Sequence, residues 1–199
     1  KADRLLLLGD LLYHGPRNDL PRDYAPKEVI AMLNELSRQI FCVRGNCEAE
    51  VDQMVLSFPV LADYCVIPAG NRLIYATHGH HHNTQTPPPL QRGDILLHGH
   101  THVPAWESFG EDNLYLNPGS VSIPKEQSAH SYMILEGNLV CWEKIRSIIS
   151  GIFGSPASIR ITRYCMELYR VQMSTFRIFF LMAFPMHSNA SSIPSMYMR

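Results

Sequence analysis

The stretch "PKEVIAMLNELSRQIFCVRGN", residues 26–46, reads as a helix running into a strand. Val29, Ile30, Leu33 and Leu36 recur at helical spacing on one face. Pro26 stands where a helix begins, a position at which its missing N–H is no loss. The chain then turns apolar over "IFCVRGN" (40–46) and stops at glycine and asparagine. Upstream, "RLLLLGD" (4–10) has the same form, an apolar run that ends in a polar turn. Strand, helix and strand in this order make a right-handed parallel crossover.

Working outward, "RLIYATHG" (72–79), "DILLHGH" (94–100) and "NLYLNPG" (113–119) repeat the pattern. Runs this short, apolar on both faces, suit strands buried in an α/β layer. "EAEVDQMVLSF" (48–58) carries a weaker helical pattern through Val51, Met54, Val55 and Phe58. Segments 114–117, 131–135 and 139–143 are separated by short turns and read as antiparallel. The expected fold is α/β, with two packed mixed β-sheets flanked by helices. Residues 1–144 form the expected domain. From 145 to 199 neither period is strong and six of the nine methionines collect, so this stretch is expected to be a poorly ordered tail.

A chain of 199 residues is long enough for one core without staples. The net charge of −1 and the lack of a basic run argue against a nucleic-acid or anionic-membrane surface. Five cysteines with no CxxC pair suggest reduced thiols and a cytoplasmic location. The apolar stretch "RIFFLMAF" (177–184) is far short of the roughly 18 residues of a membrane span.

Functional groups of open α/β sheets collect in loops at the carboxyl ends of strands. Here those ends supply Asp10, then Asn46, Cys47 and Glu48, then His78, then His100 and His102. One Gly-Asp or Gly-Asn is an ordinary turn dipeptide. Four such ends, each with a ligand type, carry more, and seven of the ten histidines fall between 78 and 102. Carboxylate, amide oxygen and imidazole together suit a divalent ion such as manganese or zinc.

In order along the chain, "GD", "GNCE", "THGH" and "GHTH" resemble the later blocks of the calcineurin-like metallophosphoesterases. The phrases "GDLLYHGPRNDLP", "RGNCEAEVDQM" and "NPGSVSIPK" resemble a branch of small bacterial manganese-dependent phosphodiesterases, over roughly residues 4–143. The resemblance implies hydrolysis of small phosphodiesters with two divalent ions, Mn2+ first among them, and makes a homo-oligomer reasonable. It implies Asp10 as the carboxylate shared by both ions, with Asn46, His78 and His100 completing one site and His102 belonging to the other. Two such ions can bind phosphate oxygens and lower the pKa of a bridging water.

This chain departs from the family pattern twice. Most members carry a histidine after the asparagine, where it is thought to protonate the leaving group; Cys47 stands there instead. An ordinary thiol titrates near about 8.5, so two readings stay open: a slow proton donor beside Asn46, or a group that fills space. The family's opening Asp-x-His block, with its strand and helix, is also absent from these residues. The expectation is therefore an incomplete first metal site, one ion or none held tightly, impaired hydrolysis, and an unpaired edge along residues 4–8. The alternative is a catalytically weak protein of the same fold that serves as a protein-binding scaffold.

Secondary candidates are Arg17 and Asn18 for a substrate phosphate and His80 as a neighbour of the site. His81 and His82 read as exposed loop residues, and His98 as strand packing. The turn "NPGS" (117–120) is a candidate support for His102 or the phosphate.

Overall fold

The computed structural model describes residues 3–13, 15–16, 19–20, 24–136, 139–149, 158–167 and 177–181, the last three segments by their backbone. Arg17 and Asn18 lie outside the described residues.

Strand β1 (Arg4–Leu7) leads through a polar loop to helix α1 (Pro26–Glu35) and then to β2 (Ile40–Cys42). Pro26 opens α1, and Val29 and Leu33 are its buried residues, as the spacing predicts. β2 lies parallel to β1, with Leu5 opposite Ile40 and Leu7 opposite Cys42. The short helix α2 (Glu50–Val55) follows. Its position agrees with the sequence pattern, but its facing does not: Val51, Met54 and Val55 are exposed, and burial begins only at Leu56 and Phe58. Six residues make less than two turns, too few to lay a stripe against the core.

One sheet then forms from β3 (Tyr64–Ala69), β4 (Arg72–Thr77), β5 (Ile95–His98), β6 (Ala105–Phe109) and β7 (Asn113–Asn117), in the order β3-β4-β5-β7-β6. β5 is central, and all four of its residues are buried. β7 is antiparallel to β6 but parallel to β5, so the antiparallel expectation holds there on one side only. The other sheet contains β8 (His130–Glu136), β9 (Leu139–Ile149), β10 (Ser158–Glu167) and β11 (Arg177–Leu181), in the order β10-β9-β8-β11-β1-β2.

This second sheet changes the reading of residues 4–8. No open edge runs along β1: β11 lies parallel beside it, with Arg4 opposite Ile178 and Leu7 opposite Leu181. Leu6, Leu7 and Leu8 are fully buried. Strands also occur beyond residue 145, where the sequence shows no clear period. The core falls into two clusters. One joins Leu6, Leu8 and Val43 to Ile74, Ile95, Leu97 and Leu116 between the sheets. The other joins Leu7, Leu11 and Ile40 to Val29 and Leu33 of α1. Among the described residues no helix is long and apolar enough to cross a membrane.

Candidate metal centre

Four parallel strands deliver their following loops to the same rim. β1 runs into Gly9 and Asp10, β2 into Gly45 and Asn46, β4 into His78, and β5 into Gly99 and His100. At that rim Asp10, His78 and His100 each offer a ligand atom within 4.8 Å of the others. The Asn46 side chain joins them: its Oδ1 is 3.0 Å from His78 Nε2. Four of the five candidate ligands named from the sequence thus meet, and His102 stays outside the compact set.

The tautomer of His78 tests whether these residues suit a cation. Its Nδ1 lies 2.6 Å from the Leu8 carbonyl, which can only accept, so Nδ1 carries a proton. In the neutral ring Nε2 is then a lone pair. It faces Asn46 Oδ1 at 3.0 Å, His100 Nδ1 at 3.0 Å and Asp10 Oδ2 at 3.4 Å. The Asn46 and Asp10 oxygens can only accept, so their approach to this lone pair is relieved by a proton on Nε2 or by a metal ion, while His100 Nδ1 donates or accepts according to its tautomer. A carboxylate, an amide oxygen and two imidazoles suit a divalent ion of the first transition row. His102 is tied in the same way: its Nδ1 donates to the Ile123 carbonyl at 2.7 Å, which leaves the lone pair on Nε2.

Electrostatics follow this geometry. Burial alone would raise the Asp10 pKa, yet the hydrogen bond and charge of His78 and the Cys47 N–H bring it below the ordinary carboxylate value. Burial alone would lower His78, but the facing Asp10 carboxylate raises it. Burial pushes His80 and His98 down to about 4. His98 is buried at the end of β5 and stacks on Tyr115 at 4.4 Å, the strand packing expected of it. His80 packs edge-on against His78 at 5.2 Å. A cavity of about 120 Å3, lined by His78, His80, Thr77 and Asp63, opens beside the cluster. His81 is exposed, whereas His82 is half-buried.

The backbone is strained where the candidate ligands sit. Asp10 (φ 56°), His100 (φ 62°) and His102 (φ 63°) all occupy the left-handed region, which residues with a Cβ rarely adopt. Such strain persists only where surrounding contacts enforce it, and it gathers at functional sites.

Two residues brace these loops without having been singled out for it. Asn117 donates from Nδ2 to the Gly99 carbonyl and to Thr101 Oγ1, both at 3.0 Å, and holds the turn that presents His100. The "NPGS" turn therefore acts through a side chain, and the direct support of His102 comes from Ile123 instead. Glu48 is buried, and its carboxylate accepts the N–H groups of Asp10 (2.8 Å), Leu11 (2.6 Å) and Gly45 (2.5 Å). The sequence signal for it is slight, an acid two residues past Asn46. Cys47 is partly exposed beside Asn46, whose Nδ2 approaches its Sγ at 3.3 Å.

Two α/β sheets with carboxylate, amide and imidazole groups at one rim define a metal-dependent phosphoesterase scaffold. Residues 1–138 match the calcineurin-like phosphoesterase superfamily domain, and the chain belongs to that family. It is similar to the phosphodiesterase YfcE of Escherichia coli K12, with 45% identity over 139 residues that cover 70% of this chain and 75% of that protein. The solved structure of that phosphoesterase superposes with a TM-score of 0.67, covering 70% of this chain and 76% of the other. The probable metallophosphoesterase YsnB of Bacillus subtilis is 31% identical over 100 residues, 47% of this chain and 54% of that protein. A phosphoesterase of this family implies a divalent metal, and the donor set at the rim fits one.

Proposed function

We propose that the chain hydrolyses small phosphodiesters with Mn2+ as its preferred ion, and that it acts in the cytoplasm. The observation that carries this reading is the meeting of Asp10, His78 and His100 within 4.8 Å, with Asn46 Oδ1 turned into the same space. The 45% identity to a phosphodiesterase supports the substrate class.

In this reading Asp10, Asn46, His78 and His100 would hold one ion, and His102 would join Asp10 at a second. A cation held by these residues would supply charge that acidifies water and offsets negative charge on the phosphoryl oxygens. Water oxygen bonds to phosphorus as the ester P–O bond breaks; the water proton passes to solvent, and the leaving oxygen needs one back. Cys47 stands nearest to that task in sequence position, and the cavity at His78 and His80 receives one ester arm. Residues 1–144 carry every proposed ligand of the metallophosphoesterase domain, and self-association as a homo-oligomer is the proposed assembly.

The test is hydrolysis of bis(p-nitrophenyl) phosphate with Mn2+, together with metal content per chain. Manganese-dependent turnover with at least one firmly held ion per chain supports the reading. No turnover under any divalent ion refutes the enzyme and favours the scaffold alternative.

A further inference from the structure

The loop that carries Asp10 is an unlikely object. Gly9 has φ 87° and Asp10 has φ 56°, so two successive residues turn left-handed directly after β1. A Cβ on Gly9 would collide with the backbone of Gly45, so the loops after β1 and β2 touch main chain to main chain. Nothing in the local sequence holds a non-glycine residue at positive φ. The hold comes from the other loop: Glu48 spans the gap, one oxygen taking Leu11 N–H and the other taking Asp10 N–H and Gly45 N–H. The tie is reciprocal, because Asp10 Oδ1 in turn accepts Cys47 N–H at 2.9 Å. Glu48 itself is 4% exposed and lies outside the set of converging ligand atoms.

We propose that Glu48 is a positioning residue: it fixes the left-handed Asp10 turn and thereby sets the direction of the Asp10 carboxylate toward the cation. This rests on the reading of Asp10 as a metal ligand. The chemistry requires a carboxylate. Three N–H donors converge on two anionic oxygens, and an amide at this position keeps one acceptor and turns its own NH2 toward a donor.

The test compares wild type, Glu48→Gln and Glu48→Asp, by calorimetric titration with Mn2+ and by amide exchange of the metal-free proteins. In Glu48→Gln the Asp10 and Leu11 amides should exchange faster in EDTA, and Mn2+ affinity should fall about 10- to 100-fold, the range for residues that orient a ligand. Glu48→Asp keeps both oxygens on a shorter arm and should recover most of that affinity. A Glu48→Gln protein that melts earlier yet binds Mn2+ like wild type overturns the proposal, because the residue would then be merely structural. Where Glu48→Gln does not fold, Glu48→Asp decides: exchange at Asp10 and Mn2+ affinity that move together, both kept near wild type or both shifted, support the proposal, and either one shifting without the other overturns it. Wild type that binds no metal at all would instead defeat the reading of Asp10.

A second, independent observation concerns β11. It lies outside the family match, which ends at residue 138, yet it sits inside the sheet between β8 and β1. Its register sets Phe180 opposite both Leu6 and Met133. The Leu7 carbonyl accepts from Val43 N on the β2 side at 3.1 Å, so by alternation the Leu6 backbone faces β11. We infer that the strand at Arg177–Leu181 is a working part of the metal-binding domain, clamping the strand that presents Asp10. Amide exchange on the full chain tests this against Phe179→Pro, since proline breaks a central strand. The substitution should expose the Leu6 amide while leaving Leu7, paired to β2, protected, and should weaken Mn2+ binding. Unchanged exchange at Leu6 overturns the inference, and so does an unprotected Leu6 amide in the unaltered chain.

Discussion

Gly45→Ala is a one-carbon perturbation at the point where the two loops meet. No positive φ is required of Gly45, so the backbone tolerates alanine and the cost is steric. The added Cβ would overlap Asp10 Oδ1 and would stand 2.5 Å from Asp10 N and 2.7 Å from Glu48 Oε2. Those atoms cannot withdraw independently, since Glu48 binds Asp10 N–H and Asp10 binds Cys47 N–H. Overpacking of this kind costs about 1–3 kcal/mol, and the upper end applies where backbone and charged groups are both displaced. At 2–4 °C per kcal/mol for a chain of this size, Tm should fall by roughly 6–12 °C. Gly93→Ala is the control. Its φ is 87° but its nearest neighbour is Arg72 Nε at 3.9 Å, so only backbone strain of about 1–2 kcal/mol is expected. Scanning calorimetry in EDTA reads both variants, and Mn2+ titration should show a loss of affinity for Gly45→Ala alone. A Gly45→Ala protein that melts within about 2 °C of wild type and binds Mn2+ equally would refute the close-approach argument.

Three further predictions follow from the same geometry. His100→Ala should lower Mn2+ affinity by at least about tenfold, while His102→Ala should change it far less, because His102 lies outside the compact set; equal losses would show both histidines on one ion. Cys47→His should raise turnover on phosphodiesters with poor leaving groups, read as kcat across a leaving-group series, and an unchanged rate would remove Cys47 from that role. Asp10 is lowered and His78 raised, so in the metal-free protein the Asp10 contribution is present above the ordinary carboxylate range and lost as pH falls through its folded pKa. The His78 contribution is complete below about 6.5 and lost as pH rises through its raised value. Mn2+ must displace the proton from His78 Nε2, so affinity should climb with pH over the range in which metal-free stability from this pair declines; titrations and EDTA melts from pH 5.5 to 8 check the opposed trends.

Part of this protein was legible residue by residue. The face of α1 through Val29 and Leu33 follows from helical spacing, and Pro26 marks its start. The buried run of β5 follows from Ile95, Leu96 and Leu97, three apolar residues in a row before His98. The gathering of Asp10, Asn46, His78 and His100 at one rim was legible too, because the apolar runs before them end in polar residues, and a strand end is where a sheet exposes its loops. Local pattern failed where the outcome depended on partners far along the chain. Val51, Met54 and Val55 have helical spacing, but α2 is too short to bury them. Glu48 reads as one more acid in a loop until its carboxylate is seen spanning to Asp10. Asn117 reads as a turn residue until its amide is seen holding Gly99.

The amino-acid sequence by itself determined the strands β1, β2, β4, β5, β7 and β8 and the candidate ligand types that follow four of them, because period and side-chain chemistry act over a few neighbours. Only the tertiary structure decided the order of those strands, with β11 between β8 and β1, and the exclusion of His102 from the compact cluster. Pairing between segments well over a hundred residues apart is selected by how the whole core fills and how every buried N–H finds an acceptor, and no window of sequence contains that sum.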